Sequence, residues 1–349
     1  AGTAPYFHDG SQPTLEELNP PPSPKDEKAW AEIQQLVSEQ MLEAAYEKAK
    51  AVREAAQAAG NEEEWTRALI AEVQLRTGLH GYETSVRLLK ETPWPKGALW
   101  RIALQLYYAG ALTNYAQLYS WEIGQREKVG SQGPVDLKAW TRDEIYAEAQ
   151  RAFEEIWQIR HGLGSVPIER LSEYLVPNDY PREVRGTLRD AVSYLRVQLL
   201  ADTGGWRPQH SNEVWALELP KLIAGDPAAS ARLDLADPAV HPLLKIGAIL
   251  DDLEGWHRAA NHPEAQLEAR LERLRRLRVS LTAREDREAI AADLEARLPE
   301  FRQVPWWSMG MATLAGFVRE LPAPDALVRA RKIAAEGAER FPESVGGRQ

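Results

Sequence analysis

The chain contains no cysteine, which excludes disulfides, thiolate chemistry and cysteine-based zinc sites within it. That absence does not separate cytoplasm from periplasm. Methionine and phenylalanine are scarce, at 3 and 5 residues. Positive charge is in deficit: 42 Lys and Arg face 52 Asp and Glu, a net charge of −10. That balance favours solubility and argues against nucleic acid or an anionic membrane as a partner. No apolar run approaches the roughly 20 residues that span a bilayer. Neither a glycine-rich phosphate loop nor a nucleophile elbow is present. Alternation of period two is nearly absent, so no sheet is expected.

What is present is aromatic-punctuated amphipathic helix. The 349 residues hold 12 Trp and 11 Tyr, with 44% hydrophobic and 27% charged residues, ordinary for a soluble globular chain. Such a length suggests about two domains, or one elongated repeat structure. The chain begins Ala1-Gly2-Thr3, without Met or a signal-like stretch, which reads as a processed, exported form or a trimmed end.

Residues 1–24 read as an extended arm ending in Pro20-Pro21-Pro22-Ser23-Pro24, where consecutive prolines hold the backbone near polyproline II. A linker or tether is the favoured role. A partner-binding arm anchored by Tyr6 and Phe7 is the alternative. From Lys25 the pattern turns helical. Met41 to Ala59 is rich in Ala, Glu and Lys, with Gly60 as its stop. Helix starts follow as Asn61-Glu-Glu-Glu64, Thr141-Arg-Asp-Glu144, Thr187-Leu-Arg-Asp190 and Thr282-Ala-Arg-Glu285. In each, the first side chain is placed to accept from a free amide and the fourth to reach back.

Short turns between these segments predict antiparallel hairpins, and stacked hairpins predict an α-solenoid. Leu298-Pro299-Glu300 and Phe341-Pro342-Glu343 each close a helix, at a spacing within the range of helical repeats. Ala330 and Ala334 are expected on one packing face, as in a tetratricopeptide (TPR) pair. Gly204-Gly205-Trp206-Arg207-Pro208, Gly225-Asp226-Pro227 and Asp237-Pro238 interrupt the pattern. The expected fold is therefore all-α and TPR-like, with irregular loops in its middle. The expected parts are an arm at 1–24, a hairpin array at 25–202, a connector at 203–240 with a short helix near Asn212–Ile223, and a second array at 241–349.

Candidate chemistry is weak at each place it is sought. Asp251-Asp252-Leu253-Glu254 would need carboxylates one turn apart to share a metal, and reads as a solvated helix end. His210, His241, His257 and His262 lack the i, i+4 pair of a helical metal site. Arg270, Arg273, Arg275, Arg276, Arg278, Arg284 and Arg287 form a basic run. Its members point in different directions around a helix whose core stripe is Leu267, Leu271, Leu274 and Leu277. Glu272 is spaced to pair with Arg275 or Arg276. Trp65, Trp100, Trp157 and Trp256 sit in apolar stripes. Trp306 and Trp307, after Pro305, are the interaction candidates: either an exposed anchor or core packing at a helix start, the second favoured. No catalytic, cofactor-binding or metal residue is assigned, and no cofactor is expected.

Three blocks, in order, resemble the helical N-terminal region of the large bacterial alpha-2-macroglobulin-like proteins. They are Ala103-Leu-Gln-Leu-Tyr107 with Asn114-Tyr-Ala-Gln-Leu-Tyr119; Ile168-Glu-Arg-Leu-Ser-Glu-Tyr-Leu175 with Arg185-Gly-Thr-Leu-Arg-Asp-Ala191; and Ala338-Glu-Arg-Phe-Pro-Glu-Ser-Val-Gly-Gly347. The resemblance covers residues 95–349 and rests on the order of the blocks. It implies an exported cell-envelope protein of a protease-trap system, often lipid-anchored, in which a thioester captures the protease. That motif needs a Cys, so the reactive element would lie outside this chain. The implied role is a non-catalytic interaction scaffold whose partners are envelope proteins or the macroglobulin domains. A helical cell-wall glycan-active enzyme and a free-standing TPR adaptor binding a peptide are the alternatives.

Overall fold

The computed structural model describes residues 15–18, 20, 25–127, 135–176 and 179–349. The 1–24 arm, with Tyr6 and Phe7, lies almost wholly outside them. Among the described residues the chain is all-α: there is no strand, and the one β-bridge joins Pro167 and Thr187. No described helix is long and apolar enough to cross a membrane. The described residues form two compact units, one drawn from Ala1–Pro177 with Thr187–Val192, the other from Asn178–Gly186 with Ser193–Gln349.

The first unit is built from α1 (Glu27–Ser38), α2 (Leu42–Ala59), α3 (Glu62–Gly78), α4 (Tyr82–Glu91), α5 (Ala98–Leu118) and α6 (Arg142–Trp157). Each packs on the next, and α3 also packs on α5. Local chemistry fixes the boundaries. Gly60 takes φ +69°, the left-handed conformation that closes α2, and the Asn61 amide donates back to the Ala56 carbonyl at 2.9 Å. The Asn61 side chain then accepts from the Glu64 amide at 3.2 Å, opening α3. Thr141 and Glu144 form the reciprocal box expected of them at the head of α6. Glu62 accepts from the amides of Lys96 and Gly97, placing an anion at the positive end of α5. Small residues let the first helices approach: Ala45, Ala49 and Ala68 are fully buried beside Ile33, Tyr46 and Val52. Leu99, Leu104 and Leu112 of α5 are also fully buried, and each such leucine contributes about 1.5–3 kcal/mol relative to exposure.

Thr187 and Asp190 form a second reciprocal cap, the Asp190 carboxylate accepting from the Thr187 amide at 3.0 Å. This opens α7 (Leu188–Ala201), whose residues are divided between the two units.

The second unit contains α8 (Pro242–Ala259), α9 (Pro263–Ser280), α10 (Arg284–Arg297), α11 (Trp307–Arg319) and α12 (Ala326–Arg340), again packed in sequence, with α9 also against α11. Its core holds the predicted leucine stripe of α9: Leu267, Leu271 and Leu274 are fully buried and Leu277 nearly so. Three details depart from the sequence reading. The cap of α10 is Ala283 without a side-chain bond, so the Thr282 signal misses by one residue. The single helix expected near Asn212–Ile223 is Pro208–Glu213, a 3-10 turn at Val214–Ala216 and Leu219–Ala224. Pro220 has no amide to donate and fits only the first turn of a new helix. On α12, Ala330 is buried but Ala334 is exposed. The close approach is made instead by Gly337, where a Cβ would lie 2.9 Å from that of Met311.

Candidate functional site

The acidic and basic runs singled out in the sequence meet each other. Asp251 and Glu254 lie one turn apart on α8, and Arg270 and Arg273 one turn apart on α9. Arg273 pairs with Asp251, and Arg270 with Glu254 at 2.9 Å. All four are buried, so the solvated helix end expected at Asp251–Glu254 is corrected to an internal charge layer. Beside it lies the short helix Leu219–Ala224, whose last turn buries Leu222 and Ile223 and leaves carbonyls without intrahelical partners. Arg273 donates to the Leu222 carbonyl at 3.1 Å, and Arg270 donates to those of Ile223 and Ala224. Two guanidiniums at a helix C-terminus satisfy both its hydrogen bonding and its dipole. Asp251 further accepts from the Asp226 amide and, at 2.6 Å, from the Ser230 hydroxyl. Arg278 repeats the device, donating to the Phe317 carbonyl near the end of α11.

Glu268 is the hub on another face of α9, with no exposed surface. Its Oε1 accepts from Arg185 at 2.6 Å and Arg275 at 2.9 Å, and its Oε2 from the Trp306 indole at 2.9 Å. Arg185 lies 3.8 Å and 3.6 Å from the ring centroids of Tyr180 and Tyr194, a cation between two aromatic faces. Of the two roles weighed for Trp306 and Trp307, the described structure places both in the core, each 3% exposed. Trp307 packs edge-on against Phe341, with the Arg302 and Arg340 guanidiniums near its ring. Arg275 and Arg276 both reach Glu272, at 3.7 Å and 2.7 Å.

The histidines also have local employment. His241 caps α8: its Nδ1 accepts from the Leu243 amide at 3.0 Å, so its Nε2 carries the proton and donates to the His210 carbonyl at 2.9 Å. His210 Nδ1 accepts from the Arg207 amide. Burial holds both imidazoles below the usual histidine range. Among the described residues, no three His, Asp or Glu side chains are grouped so as to hold a metal ion.

A different cluster lies partly open to solvent, on the first unit, and the sequence reading did not pick it out. Arg101, Gln105 and Tyr108 occupy successive turns of one face of α5. Glu148, Arg151 and Glu155 do the same on α6, Lys90 is in the last turn of α4, and Trp94 is in the linker that follows. Arg151 forks between the two carboxylates, 2.5 Å from each. Tyr108 donates to Glu148 at 2.9 Å, and the Gln105 amide nitrogen donates to Glu155. Burial pushes the Tyr108 hydroxyl far above its ordinary range, with Glu148 adding to the shift, so it remains a donor. The Lys90 ammonium lies 5.3 Å and 4.8 Å from the Trp94 and Tyr108 ring centroids. Glu148, at 4.0 Å, is its one ion-pair partner among the described residues, beyond hydrogen-bond length. Burial and the neighbouring Arg151 lower the Lys90 ammonium below the usual lysine range.

The two charged regions differ in what remains unspent. In the second unit, Asp251 and Glu254 are held by arginines that also serve a helix end, and Glu268 by two arginines and an indole. In the first, the side chain of Lys90 is 24% exposed with its donors unused, and the buried Oε1 of Gln105 has no partner. The spacing signal for this cluster was present in the sequence as Glu148, Arg151 and Glu155, three and four residues apart. It is indistinguishable there from an ordinary solvated helix face. Set against family models, curated proteins and solved structures, the chain matches none of them.

Proposed function

We propose that this chain is a non-catalytic protein-interaction scaffold, a TPR-like array of helix hairpins from a bacterial alpha-2-macroglobulin-like protein of the cell envelope. The single observation that carries the interaction reading is a large indole left in solvent on each unit. Trp121 is 79% exposed, in the short helix Ser120–Gly124, and Trp215 is 74% exposed, in the 3-10 turn Val214–Ala216. Exposed tryptophan is costly to leave in water and is over-represented among the residues that dominate interfaces. Sequential packing of α1–α6 and α8–α12, with the next-but-one pairs α3–α5 and α9–α11, supports a hairpin array. The register of α8 on α9 supports it too. Asp251 pairs with Arg273 and Glu254 with Arg270, so each pair is equidistant from the turn at His262, as in an antiparallel hairpin.

The envelope assignment rests on the three sequence blocks. In that role the helices position the trapping machinery or dock one of its partners, and the capturing thioester belongs to other domains. The gene itself supplies the test. A reading frame continuing past Gln349 into β-rich modules with a Cys-x-Glu-Gln motif supports the assignment. One that continues without β-rich modules overturns it, and leaves a TPR adaptor.

A further inference from the structure

We propose that His210 and His241 form a pH-operated clasp that closes the two arms of the connector, residues 207–218 and 232–241, onto each other. With both imidazoles neutral the arms are held. A proton on either ring releases them, and with them the turn that carries the exposed Trp215. This deepens the scaffold reading by giving one of its surfaces a regulator, and it rests on that reading only for the use made of Trp215.

The clasp is a chain of bonds between ring and backbone. The His210 Nδ1 accepts from the Arg207 amide at 3.3 Å, and the Pro238 carbonyl faces the same ring. The His210 carbonyl accepts from the His241 Nε2 at 2.9 Å, and the His241 Nδ1 accepts from the Leu243 amide at 3.0 Å. The two rings lie 5.5 Å apart between centroids, and Trp206 stands edge-on to His241 at 5.2 Å. Both histidines are buried. In each ring one nitrogen must keep its lone pair, because a backbone N–H points at it.

Protonation turns that nitrogen into a donor facing a donor. At His241 it also sets a full positive charge at the N-terminus of α8, the positive end of the helix dipole, and orphans the Leu243 amide. A charged ring regains water by leaving its place beside Trp206, which breaks its bond to His210. Three charged side chains face the pair. Arg207 and Lys245 oppose a proton on His210, while Glu213 favours one on either ring. Burial outweighs that attraction, so the held state is the neutral one.

The opening is confined to the arms. Between them, the Leu222 and Ile223 carbonyls are tied to Arg273 and Arg270, and the Asp226 amide and Ser230 hydroxyl to Asp251. None of these bonds involves a histidine. The arms bury little else: Val214 and Leu235 are their buried apolar side chains. A segment with so few apolar contacts opens at a fraction of the cost of global unfolding.

The test is hydrogen exchange of the full chain, read by mass spectrometry at about pH 7.5 and about pH 5.5, with each rate corrected for the intrinsic rate at that pH. The ordinary histidine value of 6.5 applies to the open arms. The clasp is therefore fully closed above that pH and loosens below it. Each ring that takes its proton only on opening raises the open population about tenfold over that interval. Protection of 207–218 and 232–243 should fall about tenfold if one ring is protonated and about a hundredfold if both are. The arms should exchange before α9 at both pH values, and dilute urea should leave their rates unchanged, because a local opening exposes little surface. The double variant His210→Gln, His241→Asn keeps an acceptor for both amides without titrating in this range, and its arms should show no pH step. Equal protection of the parent's arms at both pH values overturns the proposal. So do arm rates that match those of α9 and rise with urea as theirs do, or a step of parental size in the double variant. Should that variant fail to fold, the pH step and the urea response of the parent decide. No partner enters the measurement, so a failure here leaves Trp215, and the scaffold reading with it, to its own test.

Discussion

The indole N–H of Trp306 donates to the Glu268 carboxylate at 2.9 Å inside the second unit, where both residues are buried. Of the aromatic pair that in sequence offers itself as an anchor, Trp306 is here committed to a carboxylate of α9 and Trp307 packs against Phe341. The same carboxylate holds Arg185 and Arg275. Glu268→Gln should therefore be more harmful than its size suggests, since it leaves two guanidiniums with only the more distant Glu272 carboxylate, at 3.5 Å and 3.7 Å. A loss of about 3–5 kcal/mol is expected. Trp306→Phe leaves both ion pairs in place and should cost less, about 1–3 kcal/mol. Urea unfolding followed by far-UV circular dichroism separates the two; an equal loss would contradict the hub.

Arg273 and Arg276 are neighbours on α9 with opposite consequences. Arg273 is 1% exposed and holds Asp251 together with the carbonyls of Leu222 and Gly247. Arg276 holds Glu272 near the surface. Arg273→Met should destabilise by about 3–5 kcal/mol, through an unpaired buried carboxylate and an uncapped helix end. Arg276→Met should cost about 0–1 kcal/mol. Thermal melts of the two variants at one pH give the comparison directly.

Gly225 makes a prediction about the backbone beneath that layer. It sits at φ +76°, and a Cβ there would come 2.3 Å from an Asp251 carboxylate oxygen. Gly225→Ala should cost more than the roughly 1 kcal/mol of the backbone effect alone, because Asp251 must also leave Arg273. Gly60→Ala, at φ +69° with nothing near the added carbon, should show the backbone effect only. Midpoints from parallel urea titrations rank them.

Acid sensitivity should come from His210 and His241. Burial sets both folded values below the 6.5 of the free side chain. On acidification the unfolded chain therefore takes up protons first. Stability from these groups is full above the unfolded value and is lost as pH falls through the folded values. Glu264 and Glu72, raised by burial, act in the opposite sense, their contribution fading as pH rises through their folded values. The quantity to read is thus the difference between the parent and a His210→Gln, His241→Asn double variant. The parent's urea midpoint should fall more steeply from pH 7 toward pH 5, and parallel slopes would contradict the assignment.

Helix identity was legible in the sequence wherever it was written locally. The Gly60 stop, the Thr141 box and the leucine stripe of α9 stand as expected, because each depends on residues within one helix. At Asn61 only the first half of the box forms, the Glu64 carboxylate accepting from Asp26, Trp30 and Arg67 instead. The Asp251 and Arg270 runs misled because charged side chains are ordinarily solvated, and nothing nearby in sequence announces that the Leu222 and Ile223 carbonyls need partners. The one available signal was symmetry: acids at 251 and 254 and arginines at 270 and 273 lie equally far from the His262 turn. The Lys90 cluster was illegible for another reason. It joins three helices and a linker, and no single segment carries more than three of its members.

The central claim is that this chain works by presenting surface to another protein. It is tested most directly by photo-crosslinking in the cells that make the protein, with benzoylphenylalanine in place of Trp121, of Trp215, or of the exposed Glu39 as control. The account predicts discrete protein adducts of reproducible mass from positions 121 and 215 and none from position 39. Adducts absent from both tryptophan positions, or identical at all three, would contradict it.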